Sequence, residues 1–366
     1  MKLQINKSDL VEGLNIVSKA VSSKTTLPIL TCVLLEAQGN EIRLTGNDME
    51  LAIETKLSGT VLEEGQIAIE AKLFSEIVRK LPDNNILISE INEVVSIKCE
   101  KANFTISGRR GDDFVRLPSV ESDDYVCISQ FTLKEMVRQT IFAISANDNN
   151  KLMTGEYVEI KDNSMRIVAL DGHRISLRKV ELKDSYSEHK VIIPGKTLQE
   201  ISRILPGEQD EDVYIFFSRS HVLFEFGNTV VVSRLIEGEY FKVDKMISKD
   251  YETKITVNRK ELLDSIERSL LLVRETDKKP IVFKIDGDNL NLSMTSVIGS
   301  MKEDMTVEKE GQNIIIGFNP RFLGDALRAV DDEEVSLYMM NPKAPCFIRD
   351  ENDSYVYLIL PINFIQ

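Results

Sequence analysis

Apolar and polar residues alternate in short runs along most of the chain, and stretches with helical spacing interrupt the alternation at intervals. Lys2–Ile5 alternates as a strand. Leu10, Leu14, Val17 and Val21 then share one helical face, with Asn6 or Ser8 placed to cap it. Strand-like runs follow at Ile29–Ala37, Glu41–Thr45 and Leu51–Leu57, the first two joined at Gly39-Asn40. A strand and an amphipathic helix occupy Ile67–Pro82, and Ile86–Ile91, Val94–Glu100 and Asn103–Gly108 form a meander. The series then starts again. Cys127–Gln130 leads into a helix marked by Leu133, Val137, Thr140 and Ile144, then strands Tyr157–Lys161, Met165–Leu170 and Ile175–Val180. Val191–Pro206 is again strand and helix, followed by strands Val213–Phe217, Val222–Phe226 and Val230–Leu235. It starts a last time at Thr253–Val257, with a helix on Leu262, Ile266 and Leu270 and strands Ile281–Ile285, Leu290–Met294 and Met301–Val307. Ile314–Asp331 is the third strand–helix unit, and Val335–Met339, Cys346–Arg349 and Val356–Leu360 close the chain.

IAIEAKLFSEIVRKLP, VIIPGKTLQEISRILP and IIIGFNPRFLGDALRAVD are therefore copies of one unit about 125 residues apart, and the chain is a threefold internal repeat. Polar stretches at Pro118–Asp124 and Ser248-Lys249-Asp250 separate the copies, which predicts domains over 1–124, 125–249 and 250–366. Each holds two helices and about eight strands, so the fold class is α+β with antiparallel sheets. Two helices cannot cover both faces of two sheets. The expected packing puts the helices together on one side and the sheets outside them.

The repeated helix carries the same charges each time. Lys72, Lys196 and Arg321 open it, and Arg79, Arg203 and Arg328 lie seven residues later on the same face. The apolar face is expected to be Leu73, Ile77 and Leu81 in the first copy, Leu198, Ile201 and Leu205 in the second, and Phe322, Ala326 and Val330 in the third. Glu76, Glu200 and Asp325 stand four residues after the first base, so two readings are open: a helix surface pair, or a face that meets something anionic.

Composition cuts against the second reading. The formal net charge is −14 over 366 residues, and phosphate binding calls for a basic surface. A basic stripe can still hide inside an acidic sum. The cysteines, Cys32, Cys99, Cys127 and Cys346, have no paired spacing and read as reduced thiols of a cytoplasmic protein. The N-terminus lacks the apolar core of a signal peptide, and no run approaches the roughly 20 apolar residues of a membrane span.

Catalytic chemistry is sparse. His173, His189 and His221 are dispersed, no metal-ligand spacing occurs, and no cofactor motif stands out. Pro194-Gly195-Lys196-Thr197 resembles the end of a phosphate-binding loop, but Lys190 occupies the place of the required earlier glycine. Asp171-Gly172-His173-Arg174 is either a tight hairpin turn or an exposed loop offering an imidazole and a guanidinium beside an apolar groove. A catalyst built on Asp171 and His173, with no third group to orient the imidazole, and a repeat scaffold with no nucleic-acid role are the rival readings.

Geometry favours a ring. A domain of about 120 residues is roughly 35 Å across, so three in a ring leave almost no hole and six leave about 35 Å. B-DNA, about 20 Å wide with grooves about 8 Å deep, passes through six but not three. A head-to-tail dimer with its helices lining the hole would also put the acidic excess outside.

The sequence resembles the bacterial sliding clamp family, the β subunit of DNA polymerase III, across its whole length. Thr26-Leu27-Pro28-Ile29-Leu30, Leu44-Thr45-Gly46-Asn47-Asp48, Ala169-Leu170-Asp171-Gly172-His173-Arg174, Val191-Ile192-Ile193-Pro194 and Leu358-Ile359-Leu360-Pro361-Ile362 carry the resemblance. It implies a homodimeric six-domain ring, opened and closed around duplex DNA by an ATP-driven clamp loader, that tethers the replicative polymerase α subunit and performs no catalysis. It also implies a groove for short linear peptides of polymerases, loader and repair proteins. By motif position that groove is Met153, Leu170, Gly172, His173, Arg174, Ile175, Met246, Leu358 and Leu360, with Pro361 and Ile362 beside it. The DNA-facing bases become Lys24 with Lys72, Arg79, Lys196, Arg203, Arg321 and Arg328. The dimer is expected to bring Phe74, Ile77 and the edge strand Asn103, Phe104, Thr105, Ile106 and Ser107 against Leu271 and Leu272 of the other chain, leucines that otherwise read as core. Departures from the family pattern are Tyr240-Phe241 where many relatives carry Phe-Pro, Asn363 where some carry Arg, and the charged Ser107–Leu117 stretch with Arg109 and Arg110.

Overall fold

The structure is a computed structural model and describes residues 1–22, 24–118, 120, 124–147, 149–208, 210–273 and 279–364. Most of the expected linker at Pro118–Asp124, and the terminal Ile365-Gln366, lie outside the described residues. Among those residues, six α-helices form: α1 (Lys7–Val17), α2 (Ala71–Lys80), α3 (Gln130–Arg138), α4 (Gly195–Ile204), α5 (Arg259–Leu270) and α6 (Pro320–Ala329). The repeat is visible in them, since α2, α4 and α6 are each ten residues long and open at residues 71, 195 and 320. None is long and apolar enough to cross a membrane.

Two compact units partition the chain. The first holds Met1–Phe131 and Glu200–Leu235; the second holds Thr132–Gln199 and Ile236–Gln366. In the first, a five-stranded sheet ends on the edge strand Ala102–Ser107, and a nine-stranded sheet runs from Arg109–Arg110 to Tyr125–Ser129. That nine-stranded sheet joins strands of the first and second repeats, because Leu51–Leu57 pairs antiparallel with Thr229–Arg234. In the second unit a seven-stranded sheet joins the second and third repeats through Arg174–Pro194 and Tyr355–Ile359, and a four-stranded sheet runs from Ser300–Thr306 to Ile314–Phe318. Repeat boundaries are therefore bridged by backbone hydrogen bonds.

Local chemistry explains most element ends. Asn6 caps α1, accepting from the Ser8 amide at 2.9 Å, and Ser8 donates its hydroxyl to the same Asn6 oxygen. Glu70 and Asn319 cap α2 and α6 in the same way. Three expectations need correction. Pro28 opens a 3-10 turn over Pro28–Thr31, so the strand expected from Ile29 begins at Cys32. The separate runs of the second repeat fuse into two long strands, Gly155–Leu170 and Arg174–Pro194, with irregular pairing near Ile160–Ser164. On α2, Leu73 is 44 % exposed while Phe74 is 0 % exposed, so the buried face is centred on Phe74, Ile77, Val78 and Leu81. Cys32, Cys99, Cys127 and Cys346 form no disulfides among the described residues.

Candidate functional site

The second unit assembles the groove residues at one end of its seven-stranded sheet. Leu170 pairs with Ile175 across the hairpin, and Ile175 pairs in turn with Leu358 on the neighbouring strand. All three are buried and join Leu177, Tyr240, Val243, Phe347 and Val356 in one apolar cluster, against which Met153 and Phe241 pack partly buried. This cluster would be the floor of the expected groove; of the other residues expected there, Met246 is 46 % and Leu360 38 % exposed. Leu360 is fixed there by its amide, which donates to the His173 carbonyl at 2.9 Å. Beyond it, the Ile362 amide donates to the Gly317 carbonyl at 2.8 Å, and a Cβ at Gly317 would meet Phe364 at 2.6 Å. A glycine is thus what lets the C-terminal tail lie on the strand Ile314–Phe318, and Pro361 and Ile362 are half-buried there.

The hairpin-turn reading of Asp171-Gly172-His173-Arg174 holds, and the exposed-loop reading holds for His173 but not for the guanidinium. The segment is a hairpin turn: Asp171 Oδ1 accepts from the His173 and Arg174 amides at 2.9 and 3.1 Å, and Gly172 takes φ +86. It is also an exposed loop, since His173 reaches solvent with its ring 6.2 Å from that of Phe322. Arg174 is different from the rim group expected of it. Its side chain is 11 % exposed, and every nitrogen is engaged. Nε donates to Asp171 at 3.0 Å, Nη1 to Asp325 at 2.6 Å, and Nη2 to the Phe142 carbonyl. The guanidinium lies over the Phe322 ring at 4.3 Å. Arg174 therefore braces the loop from beneath. Phe142, Phe322 and Asp325 form this support from distant positions and were not foreseen as parts of the site; Asp171, three residues before Arg174, was the one local signal.

Tyr240, at the departure from the family pattern, is buried, stacks on Tyr157 at 5.1 Å and meets Phe241 edge-on at 5.5 Å. Burial pushes its phenol up, helped by nearby Glu156. Glu156 is itself fully buried, and neither carboxyl oxygen completes a hydrogen bond among the described residues, because the Thr140 hydroxyl near it donates instead to the Met136 carbonyl at 2.8 Å. Burial raises its pKa to about 8, so it is held neutral in the core at neutral pH.

The basic positions Lys24, Lys72, Arg79, Lys196, Arg203, Arg321 and Arg328 are all exposed. Their acids bond forward along the helix: Glu200 pairs with Arg203 at 2.7 Å and Asp325 with Arg328 at 3.2 Å. Arg79 instead donates to Asn15 of α1 at 2.6 Å. Arg109 and Arg110 form a two-residue strand on the edge of the nine-stranded sheet, Arg110 sitting 3.5 Å from Asp112.

Of the expected dimer residues, Asn103, Phe104, Thr105 and Ser107 are exposed on their edge strand and Ile106 is half-buried. Leu271 is 78 % exposed, and Leu272 packs partly on the core of the second unit. Phe74 does not fit: it is wholly buried, beyond the reach of any partner, because the helix turns Leu73 outward in its place.

Comparison with known proteins covers the full chain. The N-terminal, central and C-terminal domains of the DNA polymerase III beta subunit match residues 1–118, 127–242 and 244–363. The beta sliding clamp of Staphylococcus epidermidis is 35 % identical over 374 residues, covering 99 % of each chain. A structure of a putative DNA polymerase III beta subunit from Eubacterium rectale is 58 % identical with a TM-score of 0.96, covering all of both chains. The DNA polymerase sliding clamp from Bacillus subtilis is 34 % identical, also with a TM-score of 0.96 and full coverage of both.

Proposed function

As a member of the DNA polymerase III beta subunit family, the chain is a DNA polymerase sliding clamp, a non-catalytic replication factor that confers processivity, and we propose that it works as a head-to-tail homodimer closed around duplex DNA. The domains would divide at 1–124, 125–249 and 250–366, giving a ring of six. The edge strand Ala102–Ser107, with exposed Phe104, pairs with the edge strand Ser300–Thr306 of a second copy, beside Leu271 and Leu272, while Ile77, 8 % exposed, stays in its own core. Both strands end their sheets, and a Cβ at Gly299 would lie 3.5 Å from Leu272, next to that second edge. The exposed bases Lys24, Lys72, Arg79, Lys196, Arg203, Arg321 and Arg328 then touch phosphates without reading bases, so the ring slides. A replication role of this kind places it in the cytoplasm with the chromosome.

The observation that carries the tethering role is the buried floor of Leu170, Ile175 and Leu358 under an exposed lip of Met246 and Leu360. It fits a leucine or phenylalanine anchor of a short peptide, with His173 on the rim and Met153, Pro361 and Ile362 along the sides. The peptides are those of the replicative polymerase α subunit, the clamp loader, and other polymerases and repair proteins. A polymerase so held stays at high effective concentration near the primer end. Leu360→Asp is expected to abolish capture of a labelled peptide ending in Leu-Phe while leaving a dimer in analytical ultracentrifugation. Leu271→Asp is expected to do the reverse. If Leu360→Asp binds the peptide as before, the groove assignment is wrong.

A further inference from the structure

One carboxylate touches both functional surfaces. Asp325 Oδ2 accepts from Arg174 Nη1 at 2.6 Å, and its Oδ1 accepts from Arg328 Nη1 at 3.2 Å. Arg174 fixes the loop that forms one rim of the peptide groove, through Asp171 and the Phe142 carbonyl. Arg328 is an exposed base on the face assigned to DNA, and its other nitrogens reach Glu267 at 3.1 and 3.3 Å. Helix α6 grips the same guanidinium at two points, since Phe322, three residues before Asp325, lies under it. Within the second unit the groove loop and the basic helix face are thus joined through a single side chain.

We propose that Asp325 is a positioning residue that couples the two surfaces: a phosphate drawn to Arg328 frees Asp325 for Arg174 and tightens the groove for its peptide. The inference rests on the reading of these surfaces given above and adds their regulation. Off DNA, Asp325 divides its charge between two guanidinium groups. On DNA, Arg328 turns to a phosphate, the whole carboxylate faces Arg174, and the Asp171–Arg174 loop is held more firmly. A firmer loop costs the peptide less ordering on binding. Linkage makes the effect reciprocal, so a seated peptide strengthens the hold of Arg328 on phosphate by the same factor. The groups are partly exposed, so the factor is about two- to fivefold.

The test is fluorescence anisotropy of a fluorescein-labelled peptide ending in Leu-Phe, with free protein and with protein loaded on nicked plasmid and freed of loader by gel filtration. Wild type should bind about two- to fivefold more tightly on DNA. Arg328→Gln should bind off DNA as tightly as wild type does on DNA, and DNA should add nothing further. Asp325→Asn should bind more weakly than wild type in both states with the difference between them gone, and Asp325→Glu should restore it. Thermal melting of each variant separates a loosened fold from a lost coupling. If Arg328→Gln and Asp325→Asn keep the wild-type affinity off DNA, the coupling is refuted even though the groove stands. If wild type fails to bind, or binds as well after Leu360→Asp, the groove assignment falls and the coupling with it.

Discussion

Helices α2 and α6 are the same ten-residue element met twice, and they are used differently. Both open with a base, carry a second base seven residues on, and bury an apolar face against their own unit. On α2 the acid Glu76 is exposed with no ion pair among the described residues, and Arg79 reaches only Asn15 of the neighbouring helix. On α6 the equivalent acid, Asp325, is held by Arg174 from the groove hairpin as well as by Arg328 from its own helix. The repeat supplies a scaffold and a charge pattern. What the third copy adds comes from a hairpin that reaches it, not from the helix itself. An internal duplication can therefore keep one function in every copy and acquire a second in a single copy by changing contacts alone.

The strongest attack on this comparison is on the shared scaffold. Phe74→Ala should cost about 3–5 kcal/mol in chemical denaturation, as a cavity in a sealed core does, whereas Leu73→Ala next to it should stay within about 0.5 kcal/mol. Equal losses would mean that the burial assigned to α2 is wrong. Arg174→Ala comes next, because it leaves Asp171 without its cation and Asp325 with Arg328 alone. It should cost about 1–3 kcal/mol and most of the peptide affinity, while Arg79→Ala costs no more than about 0.5 kcal/mol.

Glu156 sharpens the contrast from the other side, since it is a carboxyl behind the groove wall with no partner. Its folded pKa of about 8 exceeds its unfolded value, so the folded state holds the extra proton between about pH 4.5 and 8 and loses stability as pH rises through that window. Glu156→Gln should flatten the fall, with little gain over wild type at pH 4.5 and a gain that grows by about 1.4 kcal/mol per pH unit across that window, to several kcal/mol by pH 9. An unchanged pH profile would show that the carboxyl finds a partner in solution. The smallest effect is expected at Glu76→Gln, within about 0.5 kcal/mol and with no change in peptide binding, against the altered binding of Asp325→Asn.

Much of this was legible in the chain. Periodicity located all six helices, and the equal spacing of Lys72, Lys196 and Arg321 revealed the repeat. Leu73 was misplaced because 73, 77 and 81 form as good a ladder as 74, 78 and 81, and only packing decides between faces less than a third of a turn apart. The run at Ile29 was apolar enough for a strand, but Pro28 fixes a turn before it. Leu170, Ile175 and Leu358 were grouped by the motif that carries them, and the sheet brings them side by side. The engagement of Arg174 was not legible, because its partners at 142, 322 and 325 are set by tertiary packing and by nothing near Arg174 in the chain except Asp171.

The central claim is that attachment to DNA is topological, and its most direct measurement is retention on a circle. The protein is loaded onto nicked plasmid with its host's loader and ATP, isolated by gel filtration, and the plasmid is then cut once. A closed ring stays with the circles and leaves after linearisation, and reversing Arg79, Arg203 and Arg328 to glutamate lowers the loaded fraction without lowering the melting temperature. Retention that is the same before and after the cut would mean ordinary surface binding and would contradict the ring.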